Sequence, residues 1–187
     1  MKNIAIFASG NGTNAERIIL YFQHVENVNV SIVLSNKPDA GVLDRARKLG
    51  VKTFVFDRHT FRQTDEIITL LQSHKIDLVV LAGFLWLVPQ NILAAYRDRI
   101  INIHPALLPK YGGKGMYGHH VHEAVIQAGE EYSGITIHYV NEKYDKGQII
   151  FQKTVDVSPE DTPESLAEKI HKLEYEHYPR IIGEMLR

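Results

Sequence analysis

The chain has 187 residues, 44% of them hydrophobic and 23% charged, enough for one domain with a large core. Its 21 Lys and Arg residues stand against 22 Asp and Glu, a formal net charge of −1, which argues against a polyanion-binding surface of the nucleic-acid kind. With no cysteine, disulfides and thiolate metal sites are excluded.

The first residues enter a strand without a charged region followed by a long apolar stretch, so no signal peptide or membrane span is expected and the expected location is cytoplasmic. Asn3 to Ala8 reads as a short buried strand running into Ser9-Gly10-Asn11-Gly12-Thr13-Asn14, before a helical pattern over Ala15 to Gln23. Small residues at such a turn let backbone N–H groups approach an anion, and the helix N-terminus adds partial positive charge, so the turn is a candidate phosphate cradle. The alternative is a tight turn with Thr13 or Asn14 as the helix N-cap. Gly10-x-Gly12-x-x-Ala15 also fits the alanine variant of the dinucleotide fingerprint. The second strand, Val28 to Leu34, ends in Ser35-Asn36-Lys37 where a dinucleotide site would want an acidic residue, which favours phosphate; Asp39 keeps the other reading open.

Asp39 to Leu49 reads as a helix stopped by Gly50, Val51 to Phe56 as the third strand, and Phe61 to His74 as one helix burying Ile67, Ile68, Leu70 and Leu71. Asp77 to Ala82 is a continuous apolar strand suited to the middle of a parallel sheet, and Pro89 to Tyr96 a short helix with proline at its start. The apolar run from Ile100 to Ile103 then stops at His104-Pro105. Asn102 and His104 therefore fall where a buried strand meets a loop, which Pro105 and Pro109 stiffen.

Lys110 to Gly118 holds four glycines in nine residues, a segment that is mobile or shaped by what it binds. His119 to Ala128 is a helix whose His119, His120 and His122 lack a metal-site spacing and a second ligand cluster, so no metal is expected. Ser133 to Val140 alternates, with Thr136 and His138 on one face and Ile135, Ile137 and Tyr139 on the other. The short connection to Gln148 to Val157 makes these two strands antiparallel, with Asp145 in the turn. Thr162-Pro163-Glu164 starts a last helix with Glu174 near its middle. The order predicts an α/β fold in one domain, residues 1–187: a doubly wound, mostly parallel sheet with a Rossmann-like N-terminal half and an antiparallel strand pair near the C-terminus.

Ser9 to Asn14, Ser35-Asn36-Lys37, Leu81-Ala82-Gly83-Phe84, Asn102-Ile103-His104-Pro105 with Leu107-Leu108-Pro109, Ser133-Gly134 to His138, and Asp145-x-Gly147 follow in an order that resembles the folate-dependent formyltransferases over nearly the whole chain. The Ser-Gly-Asn-Gly-Thr-Asn loop points to the branch acting on glycinamide ribonucleotide in purine biosynthesis. The resemblance implies a formyltransferase fold, 10-formyltetrahydrofolate as co-substrate and glycinamide ribonucleotide as acceptor. It implies no metal, no nucleic acid and no membrane partner, and a monomer or homodimer. Carried over by residue, it makes Asn102, His104 and Asp145 catalytic, and assigns Gly12, Thr13, Asn14 and Glu174 to the ribonucleotide. The folate pocket falls on Arg62, Leu85, Trp86, Leu87, Val88, Asn102, Asn141, Glu142, Lys143, Tyr144 and Asp145. Lys146 stands where the family usually has glycine, Ala106 where serine is common, and Trp86-Leu87 where arginine or another long side chain is frequent.

The chemistry is intelligible from the residues themselves. An amine attacking a formyl group makes a tetrahedral oxyanion, which needs a positioned donor, and a leaving nitrogen, which needs a proton. Asn102 offers the donor and His104 the proton, with Asp145 expected to raise the histidine pKa. Formyltetrahydrofolate hydrolysis, and formyl transfer to tRNA or to a sugar, share this core chemistry. A non-catalytic nucleotide-binding domain would have no need of the trio.

Overall fold

The computed structural model describes all residues, Met1–Arg187. Its strands are β1 (Lys2–Phe7), β2 (Val28–Ser35), β3 (Lys52–Val55), β4 (Leu78–Leu81), β5 (Ile100–His104), β6 (Tyr132–Tyr139) and β7 (Ile149–Asp156). Its helices are α1 (Thr13–Phe22), α2 (Gly41–Lys48), α3 (Arg58–Gln63), α4 (Glu66–Ser73), α5 (Gln90–Ala95), α6 (His119–Gln127) and α7 (Pro163–Met185). One sheet runs β3-β2-β1-β4-β5-β6-β7, parallel from β3 through β5. β6 is antiparallel to both β5 and β7, so the chain's last crossover brings it back against its own fifth strand.

Side-chain alternation along the strands sorts the core into two layers. Ile4, Ile6, Val80, Ile101, Ile135 and Ile137 pack under α1, α2, α6 and α7. Ala5, Phe7, Leu34, Val79, Leu81 and Ile100 pack under α3, α4 and α5. This is the doubly wound arrangement expected from the alternation of elements. β6 departs from a simple half-buried strand: Thr136 and His138, on its polar face, are as buried as Ile135 and Ile137. Burying such groups requires partners, and those partners turn out to belong to the site.

Two local expectations are corrected. The single helix over Phe61 to His74 is broken into α3 and α4 at Thr64, which is extended at φ −130° and ψ 166°. Its hydroxyl donates to the Thr60 carbonyl at 2.9 Å and accepts from the Glu66 N–H at 3.2 Å, closing one helix and opening the next by competing with the backbone ladder. The N-cap of α1 is Gly12, at φ 79° without a side-chain cap bond, rather than Thr13 or Asn14. A Cβ on Gly12 would lie 2.4 Å from Val42 of α2, so this turn is tight as well as left-handed. By contrast α7 opens as its residues suggest, with Thr162 and Ser165 forming a capping box and Pro163 in the first turn.

Candidate active site

The strand order reverses at the β1/β4 boundary, since β2 and β3 extend to one side of β1 and β5 to β7 to the other. In open α/β sheets a ligand crevice forms at the carboxyl ends of the strands at such a point. Here the loops leaving β1, β2 and β4 are tied by Ser9. Its N–H donates to the Gly83 carbonyl at 3.0 Å, its hydroxyl donates to Asn36 Oδ1 at 2.7 Å and accepts from the Leu85 N–H at 3.1 Å. Above them lies a cavity of about 640 Å³.

β5 and β6 carry the polar floor of that cavity. Asn102 pairs with His138 across the antiparallel ladder, and His104 with Thr136. His138 Nδ1 is 2.8 Å from the Tyr139 carbonyl, which can only accept, so Nδ1 carries the proton and Nε2 receives the Asn102 amide at 3.2 Å. That bond orients the Asn102 carboxamide and leaves its second N–H available. His104 Nε2 donates to the Tyr111 carbonyl at 2.7 Å, which turns Nδ1 towards Asp145 Oδ2 at 3.5 Å. Asp145 Oδ1 lies 3.6 Å from His138 Nε2, and Oδ2 accepts the Gly113 N–H at 2.9 Å. One carboxylate therefore stands between both imidazoles and holds down the glycine-rich segment.

Asp145 has φ 54°, a conformation that Asp tolerates in turns better than most residues. Burial pushes its carboxyl up, but the His138 and His104 rings, in their protonated forms, and the Gly113 N–H outweigh burial and hold it below the ordinary carboxylate value. Asp145 pulls the His104 pKa upward, as expected from the sequence, but the net shift is downward. Burial lowers its pKa, and although Asp145 and the Tyr111 carbonyl pull upward, they do not cancel it. The imidazole is therefore neutral at neutral pH and becomes strongly paired once it takes a proton, because both nitrogens then face acceptors.

The loop that follows His104 is fixed from behind. Thr136 Oγ1 donates to the Ala106 carbonyl at 2.7 Å and accepts from the Leu108 N–H at 3.0 Å and from Gln152 Nε2 at 2.9 Å; Gln152 Nε2 also donates to the Leu108 carbonyl at 3.0 Å. Ala106 takes part through its carbonyl, so a serine hydroxyl at that position is not needed for this contact. Leu108-Pro109 is a cis peptide.

The cavity lining is of two chemical kinds. Leu81, Phe84, Leu85, Trp86, Leu87, Val88 and Val140 make an apolar and aromatic part, with Asn141, Lys143 and Tyr144 also in the lining. Phe84 and Trp86 belong to an aromatic group with Phe7, Phe56 and Phe61, and the Arg58 guanidinium lies 5.3 Å from the Trp86 ring centre. Ser9, Gly10, Asn14, Lys37, His122, His171 and Glu174 make a polar part. Glu174 is 5% exposed and accepts the Asn14 amide at 2.9 Å. Burial pushes its carboxyl up to about 7, against the opposing effect of Asn14.

Most of the residues singled out in the sequence are thus brought to one cavity. Gly12 and Thr13, at the start of α1, do not line it, and neither do Glu142 and the exposed Lys146. Arg62 sits in a separate shallow depression with Gln63, Thr64, Pro89 and Asn91. His138 and the Tyr111 carbonyl were not identified as site groups from sequence, and Ser9, read there as part of the candidate phosphate turn, serves instead to tie three loops together. The available signal was a polar residue, His138, recurring two positions after Thr136 in a strand otherwise made of core residues. No group of three or more His, Cys, Asp or Glu is placed to hold a metal ion, and His119 and His120 face Glu123 at 3.2 and 3.5 Å.

Residues 2–182 match the formyl transferase family, and the chain belongs to that family. Among curated relatives, phosphoribosylglycinamide formyltransferase of Bacillus subtilis is 37% identical over 191 residues, covering 100% of this chain and 95% of that protein. The chloroplastic phosphoribosylglycinamide formyltransferase of Arabidopsis thaliana is 41% identical over 188 residues; 97% of this chain matches it but spans only 64% of its length. Among solved structures, glycinamide ribonucleotide transformylase 1 of Geobacillus kaustophilus superposes with a TM-score of 0.91 at 35% identity, covering 100% of both chains. No helix is long and apolar enough to cross a membrane.

Proposed function

We propose that this cavity transfers the formyl group of 10-formyltetrahydrofolate to the primary amine of glycinamide ribonucleotide, a step of purine biosynthesis. The observation that carries the reading is the convergence of Asn102, His104 and Asp145 on the floor of a cavity whose lining has an apolar, aromatic part and a polar part with Lys37 at a strand-to-helix turn. The relatives named for this activity support it. The aromatic part suits the flat rings of the folate, with Leu85 to Val88 and Asn141 to Asp145 around them. The polar part suits the ribonucleotide, its phosphate near Gly10 and Lys37 and the remainder near Asn14 and Glu174.

The chemistry follows from the geometry. The amine nitrogen bonds to the formyl carbon, and the carbonyl oxygen becomes an oxyanion that the free Asn102 N–H stabilises. Neutral His104 takes the proton released by the attacking nitrogen, its imidazolium held by Asp145. When the carbon–nitrogen bond to the folate breaks, His104 returns that proton to the leaving nitrogen. No covalent intermediate with the protein is needed. Incubation with 10-formyltetrahydrofolate and either glycinamide ribonucleotide or water as acceptor tests the reading. Formylated ribonucleotide is the expected product, and formate released at the same rate with or without the ribonucleotide would overturn it in favour of hydrolysis.

A further inference from the structure

We propose that His122 is a substrate-binding residue of the polar part of the cavity, forming a hydrogen bond to an uncharged ribose hydroxyl or amide of the ribonucleotide between its phosphate and its amine. The proposal rests on the functional reading above. His122 lies on α6, is 3% exposed, and lines the cavity beside the Gly113 to Gly118 segment. Its Nδ1 is sealed from solvent and has no hydrogen-bond partner in the protein. A ligand in the cavity cannot reach that sealed nitrogen; Nε2 also makes no hydrogen bond in the protein but is not sealed, so it is the ring edge that meets the cavity, and packing alone gives no reason for a histidine here. Its neighbours on the buried face of α6, Val121 and Val125, show that the helix seats itself with apolar side chains.

Position and charge narrow what the ring can bind. His122 lines the cavity together with His104 of β5 and with His171 and Glu174 of α7, and the charges of His171, His119 and His104 all act on it. Burial, the larger effect, and those neighbours hold its pKa at about 4. A neutral imidazole in that place offers one donor and one acceptor and no charge, which matches a hydroxyl or amide and not a phosphate.

Steady-state kinetics of the full chain tests the assignment. His122→Leu should raise KM for glycinamide ribonucleotide by about 10-fold or more, the scale of leaving a hydrogen-bonding partner unpaired, with KM for the folate and kcat within about twofold of wild type. His122→Gln, which keeps an amide near Nε2, should recover most of that loss. Because the ring is neutral, the ratio of variant to wild-type KM should stay level from about pH 6 to pH 9. An unchanged ribonucleotide KM with a raised melting temperature would overturn the proposal and leave His122 an unpaired packing residue, as would equal increases in both KM values. Should the leucine variant fail to fold, His122→Gln and His122→Asn decide, since their amides reach towards different ring nitrogens. His122→Gln retaining the ribonucleotide KM while His122→Asn loses it supports the proposal, and equal values or the reverse order overturn it. Failure of the functional reading itself would show separately, as wild-type protein that forms no formylated ribonucleotide.

Discussion

His104 Nδ1 faces Asp145 Oδ2 at 3.5 Å although 41 positions separate the two in the chain, one ending β5 and the other in the turn between β6 and β7. The antiparallel β6 sets His138 opposite Asn102 and ends at Tyr139 opposite Ile101, so the turn that follows must fold back over the strands to bring Asp145 beside His104 and His138. If Asp145 acts only through the imidazole, His104→Asn and Asp145→Asn should each lower kcat by about 10²- to 10⁴-fold. The double variant should then be scarcely worse than the poorer single one. Losses that multiply would mean two independent roles.

The pH profile carries a second test of the same pair. Burial lowers the His104 pKa and Asp145 opposes that, so activity that needs the neutral ring falls on the acid side as pH drops through this pKa. Removing the carboxylate charge takes away the upward pull. Asp145→Asn should therefore shift the acid limb of the kcat profile to lower pH, and a limb that stays in place would detach Asp145 from the titration of His104.

Asn102 is aimed by its bond to His138, so His138→Leu should lower kcat by roughly 10²-fold, the usual scale for one oxyanion donor, while leaving folate binding nearly intact. Adding Asn102→Ala to that variant should cost little more. A His138→Leu enzyme with wild-type kcat would show that the carboxamide holds its orientation without help.

If the phosphate sits beside Lys37 as proposed, Lys37→Ala should raise KM for the ribonucleotide about 10-fold, with the effect shrinking in high salt. Gly12 is a poor probe of the same site. Its positive φ and the 2.4 Å approach of a Cβ to Val42 mean that Gly12→Val should lower the melting temperature and impair both substrates together. Selective loss of ribonucleotide binding in Gly12→Val, at unchanged stability, would contradict the tight seating of that turn.

Glu174 gives a prediction about stability. Its folded pKa of about 7 lies above the reference value of 4.5, so the folded state binds the proton more tightly than the unfolded chain does. The stabilising contribution is complete below the unfolded value and is lost as pH rises from about 4.5 through about 7, by about 3 kcal/mol. Glu174→Gln should lack this decline, so the difference in unfolding free energy between the two proteins should change across that window. A constant difference from pH 4 to about pH 8 would show that the carboxyl is not held protonated.

Much of this was readable from the residues because local signals and tertiary structure agree. The apolar runs of β1, β4 and β5, Gly50 after α2, and Pro163 at the start of α7 each obey a local rule, and each element stands within a few residues of its expected place. The helix break at Thr64 was missed because a threonine hydroxyl can serve the backbone from inside an otherwise periodic stretch. His138 was missed for a different reason: its role exists only across the β5–β6 ladder and is invisible along the chain. The direction of the His104 shift was likewise beyond the sequence, since an acidic neighbour can be guessed from a motif but the depth of burial that overrides it cannot.

Gln152 belongs to β7, the outermost strand, and meets no substrate-lining group directly, yet through Thr136 and the Leu108 carbonyl it braces the turn that holds His104 in place. The rim of the sheet is thus mechanically continuous with its chemical centre. Replacing Gln152 by leucine would leave every reacting group present and every pocket contact intact, and the enzyme should bind both substrates normally while turning them over more slowly.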